Sequence, residues 1–424
     1  MRPYTDGWRG APACLFLALT LVTGCSSGPI GGSDDGDDDG DSTGTGQSSG
    51  SGSGAGNGAG GASSTGPGSG GASSSTGSGS GGSGGEVPFV ACPFPDFQER
   101  FAQVRASFQS QMQAAGVRGG ALAIVCQSEI LADGVGVVKD GGAAVTGQTL
   151  FQLASMTKMF TGTAAAALAD QGVVDMDAPV GAIMPSLAYG NEVTLAHLAS
   201  HSSGLPVELP NYNQEQLVPL VESNAGMSTL HPPGTHWEYS NDGFAILGGL
   251  LEVASDTPFD ALIHQEVFDR IGMGGATMRV SEAMASGDYA YGHNGSKVLS
   301  PQDSYYAAPW YGPMGGGWAS AEDMGKYARA LLGLGHMKAQ LAAQAEPQIE
   351  TGQYPGESYG YGLFLDYGVQ PQMIYHSGSV EGFLSDTEVV PSEGMAAVVL
   401  VNDTDWYPGE VAFEALSAFI ELGY

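Results

Sequence analysis

Positive charge is scarce in this chain: 13 Lys and Arg stand against 45 Asp and Glu over 424 residues, a net charge of −32. That scarcity excludes nucleic-acid binding as a main activity, because no basic surface is available to neutralise phosphates. It excludes a polybasic membrane patch for the same reason. Long apolar runs are missing as well. The run Leu15 to Val22 covers about eight residues, far short of the roughly 20 that span a bilayer. Metal-ligand patterns are equally thin. His197 and His201 are spaced to share one helix face, yet no Glu lies between them and no third ligand follows nearby, so the pair does not read as zinc-binding. Cysteine is limited to Cys14, Cys25, Cys92 and Cys126, and no internal repeat is evident.

Glycine is the abundant residue, at 68, and it is distributed unevenly. Residues 1–24 read as a leader, with Arg2 and Arg9 before the Leu15–Val22 run and Val22-Thr23-Gly24-Cys25 at its end. The ending resembles a bacterial lipobox, which implies cleavage before Cys25 and lipidation of its thiol. Ser26 after the cysteine, where Asp would favour retention at the inner membrane, points to the outer membrane within the cell envelope. Residues 26–86 contain 24 Gly and 17 Ser among 61 residues. Such a segment cannot bury enough apolar surface to offset its ordering entropy, so 25–86 reads as the lipidated cysteine and a disordered linker. Its reach is roughly 40–45 Å. The run of Asp34, Asp35, Asp37, Asp38, Asp39 and Asp41 lacks the turn and Glu of a calcium loop and reads as a self-repelling spacer.

The folded body is expected over 87–424. It keeps 37 acids and 11 bases, a net of −26, so the acidity belongs mainly to the body. In an oxidising compartment Cys92 and Cys126 are a disulfide candidate, two buried free thiols being the alternative. Phe97, Phe101, Val104, Phe108 and Met112 recur at helical spacing. Ala121–Cys126 and Ile130–Val138 read as a hairpin around Gln127-Ser128-Glu129. A helix is expected over 155–169, and another over 242–254. Ser320 with Asp323 forms a capping box. Strand signals return over 372–377, 387–390 and 395–401, and 409–422 closes the chain as an amphipathic helix. Early strands, a helical middle over about 175–350 and late strands predict an α+β fold: one antiparallel sheet built from both chain ends, flanked by helices, with a mostly helical insertion.

Three groups of residues carry chemistry. In Ser155-Met156-Thr157-Lys158 the hydroxyl and the amine fall at i and i+3, on one face of a helix turn. A serine hydroxyl needs a base to become a nucleophile, and a desolvated lysine can be that base. Tyr239-Ser240-Asn241 follows Pro233-Gly234-Thr235; a phenol there can shuttle the proton, and the amide can hold a carbonyl. Tyr189-Gly190-Asn191 has the same spacing but lacks the Pro-Gly lead-in, so Tyr239 is preferred. In His376-Ser377-Gly378-Ser379, the glycine is expected to let substrate lie along the strand edge. The N–H of Ser379 is expected to pair with that of Ser155 around an oxyanion.

The order and spacing of these groups resemble the serine β-lactamase and penicillin-binding-protein superfamily, closest to its class C-like branch. His201-Ser202-Ser203-Gly204-Leu205-Pro206, Gly315-Gly316-Gly317 and Gly382-Phe383 carry the resemblance too, over about residues 95–424. It implies an acyl-enzyme on Ser155, with Lys158 and Tyr239 managing its proton and with no metal or cofactor. The implied substrates are small-molecule or peptidoglycan-like esters or amides. Members that bind a β-lactam or D-Ala carboxylate usually carry Lys in the place of His376, so esterase or peptidase chemistry is expected ahead of β-lactam hydrolysis. The reading from a different class is a catalytically silent penicillin-binding-like lipoprotein that binds peptidoglycan or a protein partner. The intact Ser155, Lys158, Tyr239 and Asn241 favour the enzyme. His201 is expected to brace the loop ending at Gly204, and Tyr305, Tyr306, Trp310 and Tyr311 are candidates for a cleft wall or a covering loop.

Overall fold

The computed structural model describes residues 88–303 and 308–423. The leader, Cys25, the linker, Tyr305 and Tyr306 lie outside the described residues. The body opens with α1 (Phe97–Ala115), whose Phe97, Val104, Phe108 and Met112 are buried as their spacing predicts. It stops at Gly116, whose φ of +75° lets its N–H turn back to the last carbonyls of the helix. The hairpin β1 (Gly119–Cys126) and β2 (Glu129–Gly136) follows, with a short β3 (Phe151–Gln152) beyond it.

The helical middle runs through α2 (Thr157–Asp170), α3 (Leu195–Ala199), α4 (Leu217–Ser223), α5 (Asn241–Ser255), α6 (Phe259–Ile263), α7 (Asp269–Ile271) and α8 (Val280–Ala285). A small hairpin, β4 (Gly292–Asn294) with β5 (Lys297–Leu299), precedes α9 (Gly312–Gly315) and β6 (Trp318–Ala319). Then come α10 (Ala321–Leu331), capped by Ser320 as its capping residue predicts, and α11 (Lys338–Gln344). The chain returns through β7 (Ile349–Glu350), β8 (Glu357–Tyr359), β9 (Phe364–Asp366), β10 (Met373–Val380), β11 (Phe383–Val390) and β12 (Met395–Val401) to α12 (Gly409–Ser417).

Eight strands form one antiparallel sheet in the order β2-β1-β12-β11-β10-β9-β8-β7, which joins the two chain ends at the β1–β12 ladder. Both faces of this sheet are covered. Ala121, Ala123 and Val125 of β1 face the helical middle, whereas Leu122, Ile124 and Cys126 face α1 and α12. The same alternation divides β12, with Ala396, Val398 and Leu400 on one side and Ala397, Val399 and Val401 on the other. Double coverage explains why these strands read as unbroken apolar runs. A disulfide joins Cys92 to Cys126, tying the start of the body to the end of β1.

Four expectations need correction. The last helix ends at Ser417 instead of running to 422, β10 continues to Val380, and β11 begins at Phe383. The short strands β7 to β9 extend the sheet by three, so its edge reaches into the region expected to be helical. Strands of two or three residues carry too few alternations to stand out from loop sequence.

The α12 side of the sheet holds an apolar-surrounded acid pair, Asp386 and Glu388, at alternate positions of β11. Tyr407 donates to Asp386 at 3.1 Å. Burial pushes the Asp386 carboxyl up to about 7 and the Glu388 carboxyl well above its ordinary range. The folded chain therefore keeps a proton that the unfolded chain releases. Stability from this site is present at low pH and is lost as pH rises from about 4 to 7. Replacing Asp386 by Asn removes that loss, so the variant gains on the wild type by at least ~1 kcal/mol between pH 4 and pH 7. Urea unfolding of both proteins at the two pH values measures this; a pH-independent difference contradicts it.

Candidate active site

The segment that carries Ser155 is folded against strand β10. The β3–β6 pair fixes its start, and Leu153 N–H donates to Gly317 O at 2.9 Å. Ala154 then takes a left-handed φ of +49°, uncommon for a residue with a Cβ, and reverses the chain into a tight turn over Ala154–Met156. Ser155 therefore sits on the turn leading into α2, one step before the helix expected to contain it. Helix α2 is buried on nearly all sides, which suits its small residues Gly162 and Ala164 to Ala167. Two of its hydroxyls hold the 313–317 segment alongside. Thr161 donates to Pro313 O at 2.7 Å, and Thr157 accepts from Gly317 N–H at 3.0 Å.

Lys158 is fully buried. Its Nζ lies 3.2 Å from Ser155 Oγ, 2.7 Å from Asn241 Oδ1 and 2.7 Å from Met314 O. Among the described residues it has no ion-pair partner. Burial pulls its pKa well below the ordinary lysine value, against a weaker opposing pull from Asp242. The Asp242 carboxylate is itself occupied by Leu209 N–H at 2.7 Å and by the Tyr212 hydroxyl. The acceptor set matters. The Asn241 and Met314 oxygens can only accept, so they take the two N–H groups of a neutral amine. The lone pair is left for the one neighbour able to donate, the Ser155 hydroxyl.

Tyr239 completes the group from the N-terminus of α5. Ser240 caps that helix by accepting from Gly243 N–H at 2.9 Å, which sets Tyr239 and Asn241 on either side of the cap. The Tyr239 hydroxyl faces Ser155, and its ring lies 4.9 Å from Lys158 Nζ. Burial raises the phenol pKa above its ordinary value, so the side chain is a neutral phenol. Tyr189 is buried in the helical core instead.

Strand β10 brings the third motif. Its ladder with β9 stops at Tyr375, so from His376 onward that edge has no neighbouring strand among the described residues. His376 is buried on the face toward α2. Its Nδ1 lies 2.6 Å from Ser377 O, which can only accept, so Nδ1 carries the proton and Nε2 accepts from Tyr359 hydroxyl at 3.1 Å. Burial pushes its pKa down to about 3, leaving a neutral imidazole. Gly378 corrects the expectation that it clears room for substrate. A Cβ there would stand 2.1 Å from Leu153 O, so glycine admits the backbone of the Ser155 turn. Ser385 donates to the same Leu153 carbonyl at 2.8 Å. Ser377 points the other way, paired in register with Asp386 and bonded to the Tyr407 hydroxyl. Ser379 is the most exposed residue of the strand.

The structure thus gathers Ser155, Lys158, Tyr239 and Asn241 into direct contact and places His376 and Gly378 beside them. Sequence reasoning missed the Met314 carbonyl, Tyr359 and Asp242. Gly315-Gly316-Gly317 marked the first of these without naming the atom; Tyr359 carried no signal of its own. His197 and His201 use their Nδ1 atoms to accept backbone N–H groups, from Thr194 at 3.2 Å and Ser240 at 3.1 Å. His231 and His236 pack on each other, 4.6 Å between ring centres, and Trp310 packs on Tyr212 at 5.5 Å.

Known proteins resemble this chain over most of its body. The penicillin-binding protein 4 of Amycolatopsis lactamdurans is 28% identical over 333 residues, covering 72% of this chain and 84% of that protein. A D-aminopeptidase of Gluconobacter oxydans is 27% identical over 299 residues, 67% of this chain and 55% of that one. The crystal structure of a β-lactamase/D-alanine carboxypeptidase from Pseudomonas syringae shares the fold, with a TM-score of 0.68 at 19% identity over 76% of this chain and all of that one. The sequence profile of the family described as Beta-lactamase matches residues 104–417, a span that holds the whole Ser155–Lys158–Tyr239 group, and the chain belongs to that family of serine hydrolases.

Proposed function

We propose that the chain hydrolyses an ester or amide through an acyl-enzyme on Ser155. The observation that carries this is the surroundings of Lys158: full burial, no ion pair among the described residues, and two acceptor-only oxygens that leave the amine lone pair facing Ser155 Oγ. Lys158 takes the Ser155 proton as Oγ attacks the substrate carbonyl. The N–H groups of Ser155 and Ser379 hold the resulting oxyanion. Tyr239, as a neutral phenol, hands a proton to the leaving group and is recharged from Lys158. Water then releases the acid. The opposite displacements of the lysine and tyrosine pKa values fit a base and an acid working in one site.

His376 argues about substrate. A neutral, buried imidazole with both nitrogens engaged offers no cation to a substrate carboxylate. Esters, or amides of the D-amino-acid peptidase kind, therefore fit better than β-lactams. The body is proposed to work at the cell envelope, held to the outer membrane by lipid on Cys25. Cys25→Ala then moves the protein from the membrane to the soluble fraction, whereas an unchanged membrane fraction contradicts the anchor.

A fluorophosphonate probe and a fluorescent penicillin, each with Ser155→Ala as control, test the chemistry. Fluorophosphonate labelling that disappears in the Ala variant is expected. Absence of Ser155-dependent labelling by both probes, together with no hydrolysis of small acyl esters, overturns the proposal. Penicillin labelling with rapid release moves the substrate class to β-lactams. Lys158→Arg puts a permanent cation in place of the neutral amine and cannot shed its proton, so ester turnover should fall by about 10²- to 10⁴-fold. Turnover within a factor of about 3 contradicts lysine as the base.

A further inference from the structure

We infer that His201 is the residue that positions Tyr239 for proton delivery to the leaving group, an assignment that rests on the acyl-enzyme reading above. Two bonds from this one residue bracket the tyrosine. The His201 backbone carbonyl accepts from Glu238 N–H at 2.8 Å, and its Nδ1 accepts from Ser240 N–H at 3.1 Å. The backbone on both sides of Tyr239 is thereby pinned to a single imidazole-bearing residue. The ring itself is the floor beneath the phenol, with 4.2 Å between the His201 and Tyr239 ring centres. Phe244 at 4.9 Å and Tyr359 at 4.8 Å hold the imidazole in turn.

The backbone is arranged for this contact. His201 adopts φ of +58°, a conformation that a residue with a Cβ seldom takes, and it does so inside a loop whose neighbours are also tied to the Tyr239 segment. Gly234 N–H donates to Ser202 O at 2.8 Å and Leu230 N–H to Gly204 O at 2.6 Å. Histidine satisfies a narrow requirement here. Nδ1 must be unprotonated to accept from Ser240, so the ring must be neutral. Burial favours that form. The bond to Ser240 N–H leaves Ser240 Oγ to cap α5 and Asn241 to reach Lys158, so one imidazole sets the register of the whole Tyr-Ser-Asn group.

Leaving-group dependence separates this role from general support of the fold. A p-nitrophenyl ester expels a phenolate that needs no proton, whereas an ethyl ester of the same acid needs one from Tyr239. His201→Gly tolerates the positive φ but lacks both the acceptor and the ring. Its ethyl-ester turnover should fall by about 100-fold while p-nitrophenyl-ester turnover falls by less than about fivefold. His201→Asn keeps an acceptor oxygen at the place of Nδ1 and also tolerates positive φ. It should recover at least about tenfold of the ethyl-ester loss. Fluorophosphonate labelling of Ser155, whose fluoride leaves unaided, reports whether each variant is folded. If His201→Gly does not label, the comparison is made between His201→Asn and wild type, where a larger ethyl-ester than p-nitrophenyl-ester loss supports the assignment. Equal losses on the two esters, or none on either, overturn it while leaving the hydrolase intact. A wild-type protein that neither labels nor turns over either ester overturns the hydrolase reading and this assignment with it.

Discussion

A fully buried lysine amine that no carboxylate among the described residues touches is the constraint on which the site depends. An ammonium in that position loses its hydration and receives only partial compensation from two carbonyl oxygens, so the neutral form prevails. Direct contact with Asp242 would have restored the charge and abolished the base. The chain avoids this by engaging that carboxylate with Leu209 and Tyr212 on the far side. Three separate pieces of chain meet at Nζ: the Ser155 turn, the start of α5 through Asn241 and the Met314 carbonyl of α9. Each piece must be held rigidly, because a misplaced acceptor would either free a proton for Ser155 to compete with or let water in.

The fold supplies that rigidity from the sheet outward. Covering both faces of β1 and β12 makes the centre of the sheet a fixed wall, and β10 stands two strands from it. Leu153 lies against β10 through the gap left by Gly378, so the Ser155 turn is referenced to the sheet by backbone contact. On the same strand His376 is kept neutral by burial and by Tyr359. The outcome is a site able to activate a serine without offering a positive charge to the substrate, within a body whose own net charge is strongly negative.

How much of this was legible depended on whether the information sat in side chains at fixed spacing or in tertiary proximity. Ser155 and Lys158 were readable because one helical turn brings i and i+3 together regardless of context. Tyr239 was separable from Tyr189 by the Pro-Gly approach to a capped helix. The long strands β1 and β12 announced themselves by length and composition. Strands β7 to β9 did not, being two or three residues each; only β7 falls at the end of the stretch expected to be helical. Gly378 was recognised as necessary but for the wrong neighbour, since only the folded chain shows that Leu153 occupies the space. The Met314 carbonyl and the Tyr359 hydroxyl were invisible in sequence: any residue has a carbonyl, and Tyr359 reaches His376 only through sheet pairing.

The central claim is that Lys158 is an amine, not an ammonium, at neutral pH. Its direct measurement is an NMR titration of the native protein carrying ¹³Cε-labelled lysine, with the Lys158 signal assigned by its disappearance in Lys158→Met. The expected result is a Lys158 transition well below the ordinary lysine value of about 10.4. A Lys158 signal that titrates at or above that ordinary value would contradict it.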